Sequence, residues 1–156
     1  MRRATIALSP LLLAACAYQE AGDPPPLPRL AEDPEQPALA LLEHVLIGHF
    51  AEAGANVLTT CAALAPTALT PEQEKALMMR LVRLAPAARC LARKDGVVDT
   101  ITGEDAQRVQ VYDFACAGAA LCSGWVARPG SPATRYALRF ENGAWRFDGD
   151  PRWVAE

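Results

Sequence analysis

The stretch RYALRFENGAWRF, Arg135 to Phe147, decides the fold. Asn142-Gly143 lies between two alternating runs, and this dipeptide favours a two-residue type I′ hairpin turn, in which both central positions need positive φ. A two-residue turn also sets register. Phe140 then opposes Trp145, and Leu138 opposes Phe147, on one face that Tyr136 extends. Such aromatic and apolar cross-strand pairs contribute roughly 0.2–1 kcal/mol each, so this face, with Trp145 in it, is expected to be core. The same register puts Arg139 directly opposite Arg146 on the other face, with Arg135 two same-face positions back along the strand. Like charges facing one another are unfavourable unless something lies between them. In one reading Glu141 and Asp148 flank the arginines diagonally and water screens the rest. In the other, Arg135, Arg139 and Arg146 form a site for a small anion or an acidic partner.

Upstream of the hairpin, Arg108 to Cys116, Cys122 to Arg128 and Thr134 to Glu141 have strand length and are separated by Ala/Gly or Pro/Gly loops. Val97 to Thr102 is a shorter run closed by Gly103-Glu104-Asp105, and Ala87 to Arg93 is a further strand before a turn at Asp95-Gly96. Asp99, Glu104, Asp105 and Asp113 are expected on turns or solvated faces. A first helix is predicted from Pro37 to about Ala53, since proline suits the first helical position and Gly54 the stop. Leu39, Leu42, Leu46, Phe50 and Ala53 fall at helical intervals along it, with Glu43, His44 and Glu52 on the wetter side. Val57 to Ala63 reads as a short strand. Thr70-Pro71-Glu72-Gln73 then opens a second helix with a capping box, Thr70 at the N-cap and Gln73 at N3, and Pro86 is expected to end it. Leu77, Met78, Leu81 and Val82 are its expected buried face. The fold class is therefore α+β, two helices packed on one face of a twisted, mainly antiparallel sheet of about five to six strands.

The N-terminus reads differently. Met1-Arg2-Arg3 begins an apolar run from Ala4 to Ala15, the layout of an export signal and too short to span a bilayer. Leu13-Ala14-Ala15-Cys16 resembles a bacterial lipobox, which implies cleavage before Cys16 and a lipid anchor on it. Ala17 in place of Asp after that cysteine further implies the outer membrane. The competing A-x-A site, Ala15-Cys16-Ala17, would discard Cys16. Without Arg2 and Arg3 the 15 basic residues fall to 13 against 18 acidic, a net charge of −5. Residues 17–37 carry Glu20, Asp23, Glu32, Asp33 and Glu35 against Arg29 alone, together with six prolines. Such a chain favours extended conformers, so residues 16–37 are expected to be a lipidated cysteine and a semi-rigid tether. One domain follows, residues 38–156, with 12 basic and 13 acidic residues. That balance leaves no cationic stripe for nucleic acid.

Cys61, Cys90, Cys116 and Cys122 remain under either cleavage, and an even number in an exported domain implies disulfides. Cys61–Cys90 and Cys116–Cys122 is the favoured pairing of the three available, because the second pair closes a short loop between two strand-like runs. In the chain-entropy model the two loops stabilise by roughly 3.6 and 2.4 kcal/mol. The intervals of 28, 25 and 5 intervening residues lack the close C-x₂-C pairs of zinc and redox centres, so neither metal nor cofactor is expected.

The TTCAALAP and RLAPAARC segments and the closing RYALRFENGAWRF hairpin resemble those of small exported bacterial lipoproteins. More loosely, helices followed by a curved sheet ending in a G-x-W-x-(F/V) strand are similar to NTF2-like lipoproteins, a likeness of architecture that carries no function over. The chain departs from that pattern in placing a strand between its two helices and in showing no third helix.

Catalytic signals are sparse. His44 and His49 are five apart, about 140° around a helix, so they cannot chelate one metal as an i,i+4 pair does. His49 and Glu52 share a face and would permit a base held by a carboxylate, against the plainer reading of a core-edge histidine. Asp148-Gly149-Asp150 before Pro151 is turn chemistry without the remaining ligands of a calcium loop. No G-x-S-x-G and no phosphate-cradling glycine loop is present. Trp153, after Pro151, either seals a sheet edge or contacts a partner. The leading expectation is a lipid-anchored envelope protein with a non-enzymatic binding or accessory role, held to the membrane through Cys16 and contacting an envelope protein, with no nucleic acid. A small-ligand-binding domain comes second, and a periplasmic hydrolase or redox enzyme third.

Overall fold

The structure, a computed structural model, describes Leu27, residues 29–54 and residues 57–154, with side chains through residue 149. The leader, Cys16 and residues 17–26 and 28 of the acidic segment therefore lie outside the described residues, as does the side chain of Trp153.

Two helices and one large mixed sheet make an α+β fold. Helix α1 spans Pro37–Ala53, with proline in its first turn and Gly54 at its C-cap. Strand β1 (Thr59–Leu64) leads to helix α2 (Pro71–Arg80), whose capping box is formed in both directions: Thr70 Oγ1 accepts from Gln73 N at 3.2 Å, and Gln73 Oε1 accepts from Thr70 N at 3.0 Å. A two-residue strand β2 (Leu84–Ala85), a 3-10 turn (Ala87–Arg89) and the hairpin β3 (Cys90–Arg93) and β4 (Gly96–Asp99) follow. Four longer strands complete the chain: β5 (Asp105–Gly118), β6 (Leu121–Arg128), β7 (Ser131–Glu141) and β8 (Ala144–Val154).

The main strand order is β2-β1-β5-β6-β7-β8, with β4 pairing to the start of β5. Here the expected sheet is corrected in size, while its mainly antiparallel pairing holds. Among the described residues it has eight strands, and β1 runs parallel to both β2 and β5, while the other pairings there are antiparallel. The sequence-level reason is plain. A crossover containing α2 separates β1 from β2, and a crossover connection permits parallel pairing where a hairpin does not.

The hairpin turn at Asn142-Gly143 has φ of 54° and 76° at its two centres, and it pairs Phe140 with Trp145, Leu138 with Phe147 and Arg139 with Arg146. Leu138 and Trp145 are buried against Leu39, Leu41, Leu42, Leu46 and Phe50 of α1 and Leu77 of α2, together with Val109, Val111 and Val126 of the sheet. Both helices thus feed one core on one face. Trp145 Nε1 donates to the Asp33 carbonyl at 2.9 Å, and Leu30, in a 3-10 turn over Leu30–Glu32, is buried in the same core. The packed body therefore takes in residues that composition assigns to the tether.

On the opposite face, the β3–β4 hairpin lies over the starts of β1 and β5. Cys61, Ala85, Cys90 and Ala106 form a second small core there, with Val97 packed against it. The Cys61–Cys90 disulfide staples the hairpin down. Cys116–Cys122 joins residues directly opposite one another on β5 and β6, with 3.9 Å between Cα atoms.

Three side-chain expectations are corrected. Val82 is 92% exposed, because α2 ends at Arg80 and the helical period stops before it. Glu43 is buried, not on the wetter side, since α2 packs beside it and brings Arg80 to 3.3 Å. Asp99 is 1% exposed, not on a solvated face, because the clasp that holds the β3–β4 hairpin is built around it.

Candidate binding surface

Alternation along each strand determines what the uncovered part of the sheet presents. Beyond the β3–β4 hairpin, the face of β5–β8 opposite the helices carries three rows. Tyr112, Trp125 and Arg135 form one; Ser123, Ala137 and Asp148 the next; Leu121, Arg139 and Arg146 the third. Arg135, Ala137, Arg139, Arg146, Asp148 and Leu121 are all exposed, so this face is open among the described residues. A bulge in β5 removes Phe114 from this face. Two residues, Asp113 and Phe114, stand against Gly124 alone, with Asp113 at φ 48°. The bulge turns Phe114 towards the helix side, where it sits against Gly124; a Cβ on that glycine would meet the Phe114 ring at 2.7 Å.

The three predicted arginines thus share one face. Arg135 Nη2 donates to Ser123 Oγ at 3.2 Å. Arg139 pairs with Glu141 at 3.5 Å, with both side chains more than half exposed, so the pair is worth at most about 1 kcal/mol. Arg146 has no ion-pair partner among the described residues. Arg139 and Arg146 are therefore opposed in register across β7 and β8, with Glu141 paired to Arg139 and the exposed Asp148 one row along the same face. Two rows away on this face, in line with Arg135, the Tyr112 and Trp125 rings stack at 6.5 Å and 17°. Arginine, tyrosine and tryptophan are the side chains that protein interfaces favour, because they combine large contact area with directed hydrogen bonding. Trp153 belongs to β8, but its side chain lies outside the described residues, so the structure does not join it to this cluster.

The histidines lie elsewhere. His49 is buried on the helix face, and burial lowers its pKa; its Nε2 is 3.5 Å from Thr60 Oγ1 and Gln107 hydrogen-bonds to the ring. Glu52, the carboxylate that would have held it as a base, instead receives Arg128 Nη1 at 3.2 and 3.3 Å. That is a core-edge histidine with its own partners. His44 stacks on Phe147 at 4.4 Å and 14°, and burial lowers its pKa too.

Sequence reasoning missed Asp99. Its carboxylate accepts from Arg89 through both oxygens, from Thr59 Oγ1 at 2.6 Å and from the Ile101 N–H at 2.9 Å. Arg89 foremost, then Thr59 and the Ile101 amide, hold it well below the usual carboxylate range. Every oxygen is used, so this is a clasp and not a reactive acid. No group of three or more metal-ligating side chains occurs among the described residues, and no helix there is long and apolar enough to cross a membrane. No family model, no curated protein and no solved structure matches the chain.

Proposed function

We propose that this chain is an envelope protein, anchored through lipid on Cys16, with a non-enzymatic docking role. Its docking surface is the open sheet face around Arg135, Arg139 and Arg146, and its partner is a protein segment that presents carboxylates. The observation that supports this reading is the Arg139–Arg146 pair, opposed in register on an exposed face that also carries, two rows away in line with Arg135, the Tyr112–Trp125 stack. A carboxylate placed between two guanidinium groups relieves their repulsion and forms charge-assisted hydrogen bonds to both. The aromatic row supplies the apolar area that ion pairs on a wet surface lack.

One purification tests both parts. Protein isolated in mild detergent from its host's own membranes should begin at Cys16 with added acyl chains and run as a complex with a discrete partner. In the Arg139→Gln/Arg146→Gln variant the lipid mass should persist while the complex dissociates, with native circular dichroism retained. A chain beginning at Tyr18 without lipid would contradict the anchor. A complex that survives the double substitution would contradict the docking face.

A further inference from the structure

A second feature lies on the other side of the molecule. Ala40, Glu43, His44 and Ile47 sit three, four and seven positions apart, and therefore form one stripe along α1. This stripe walls a cleft of about 360 Å³ that Phe147 of β8 and Arg29 and Ala31 of the preceding segment complete. The volume falls in the range of small-molecule sites, about 300–1,000 Å³, in which a few polar groups converge within an apolar lining.

Each wall has a distinct chemistry. The His44 and Phe147 rings, stacked face to face at 4.4 Å, both border the cleft with aromatic surface, and Tyr136 meets His44 edge-on at 6.3 Å. Ile47, 54% exposed, extends the apolar surface at the mouth. Glu43 is already occupied: Arg80 Nε lies 3.3 Å from its carboxylate, and the Leu30 backbone bonds to it as well. Arg29 acts on Glu43 only at longer range and has no ion pair within 4 Å among the described residues. With Arg80 paired to Glu43, Arg29 at the cleft is a positive charge without a close carboxylate partner among the described residues.

We propose that this cleft binds a small monocarboxylate with a flat apolar body. The body lies against the aromatic surface of the His44–Phe147 stack and Ile47, and the carboxylate pairs with Arg29. This site is separate from the arginine-bearing sheet face and does not depend on it.

Phenylacetate and its neutral isostere phenylacetamide are the probes. The chain has two histidines, His44 and His49, so their ring proton signals can be followed by NMR in the full chain in detergent. Phenylacetate should shift the His44 signal saturably and leave that of His49 in place, and phenylacetamide should bind roughly 10-fold more weakly, the value of one charge-assisted contact. Arg29→Gln should bring phenylacetate down to the level of the amide. Ile47→Asp, at an exposed position, should weaken phenylacetate further by removing apolar contact and adding repulsion. Saturable binding of acid and amide with equal affinity, or binding indifferent to Arg29→Gln, would overturn the assignment, as would no saturable shift with either probe.

Discussion

Asp99 shows what a single residue does here. Its carboxylate joins Thr59 of β1, Arg89 of the 3-10 turn and the Ile101 amide, and so fixes the β3–β4 hairpin to the sheet. The sign of its pH dependence follows from the direction of its shift. The folded-state pKa is lowered, chiefly by Arg89, so the contribution to stability is complete above the unfolded value, about 3.9, and is lost as pH falls below it towards the folded value. Urea unfolding between pH 7 and pH 2.5 should show stability falling below about pH 4, and Asp99→Asn should lower stability at pH 7 and flatten that fall. An unchanged pH profile in the variant would contradict the clasp. None of this was legible in the sequence, because Thr59 is 40 residues from Asp99 and Arg89 is 10, and no local pattern records either contact. Arg139 and Arg146 were legible for the opposite reason: they are joined by a two-residue turn whose dihedrals follow from Asn-Gly.

At the scale of elements the same division holds. The start of α2 could be read from four consecutive residues, because a capping box is a local bargain between a hydroxyl, an amide and two backbone N–H groups. Thr70→Ala should therefore cost about 0.5–2 kcal/mol in urea-induced unfolding, whereas the exposed Lys75→Ala should change it little. Equal effects at the two positions would show that the cap is not formed. The end of α2 could not be read in this way. The apolar pattern continues through Leu81 and Val82 towards Pro86, yet Leu81 becomes the C-cap and the chain turns into β2. A two-residue strand has no period to detect, and its parallel partner β1 lies across a helix. The bulge in β5 was hidden likewise, although Gly124 opposite Phe114 marks the close approach that it creates.

For the whole molecule, one sheet divides the work between its two faces. The helices, the Leu30 turn and the inner half of the hairpin make the core, and the disulfide-stapled β3–β4 hairpin covers the start of the other face. What is left open is the region of β5–β8 that carries Tyr112, Trp125, Arg135, Arg139 and Arg146. The register of the closing hairpin brought three of these five to one face in the sequence. Trp125 could not be matched with Arg135 or Tyr112 without the pairing of β6 to its neighbours. The central claim, that this face is where the protein engages its partner, is tested most directly by site-specific photo-crosslinking in the living host. A photoreactive residue at Ala137, amid the arginines, should give one discrete adduct that Arg139→Gln/Arg146→Gln abolishes, while the same residue at Lys75 on α2 gives none. Adducts from Lys75 equal to those from Ala137, or no adduct from Ala137, would contradict the account.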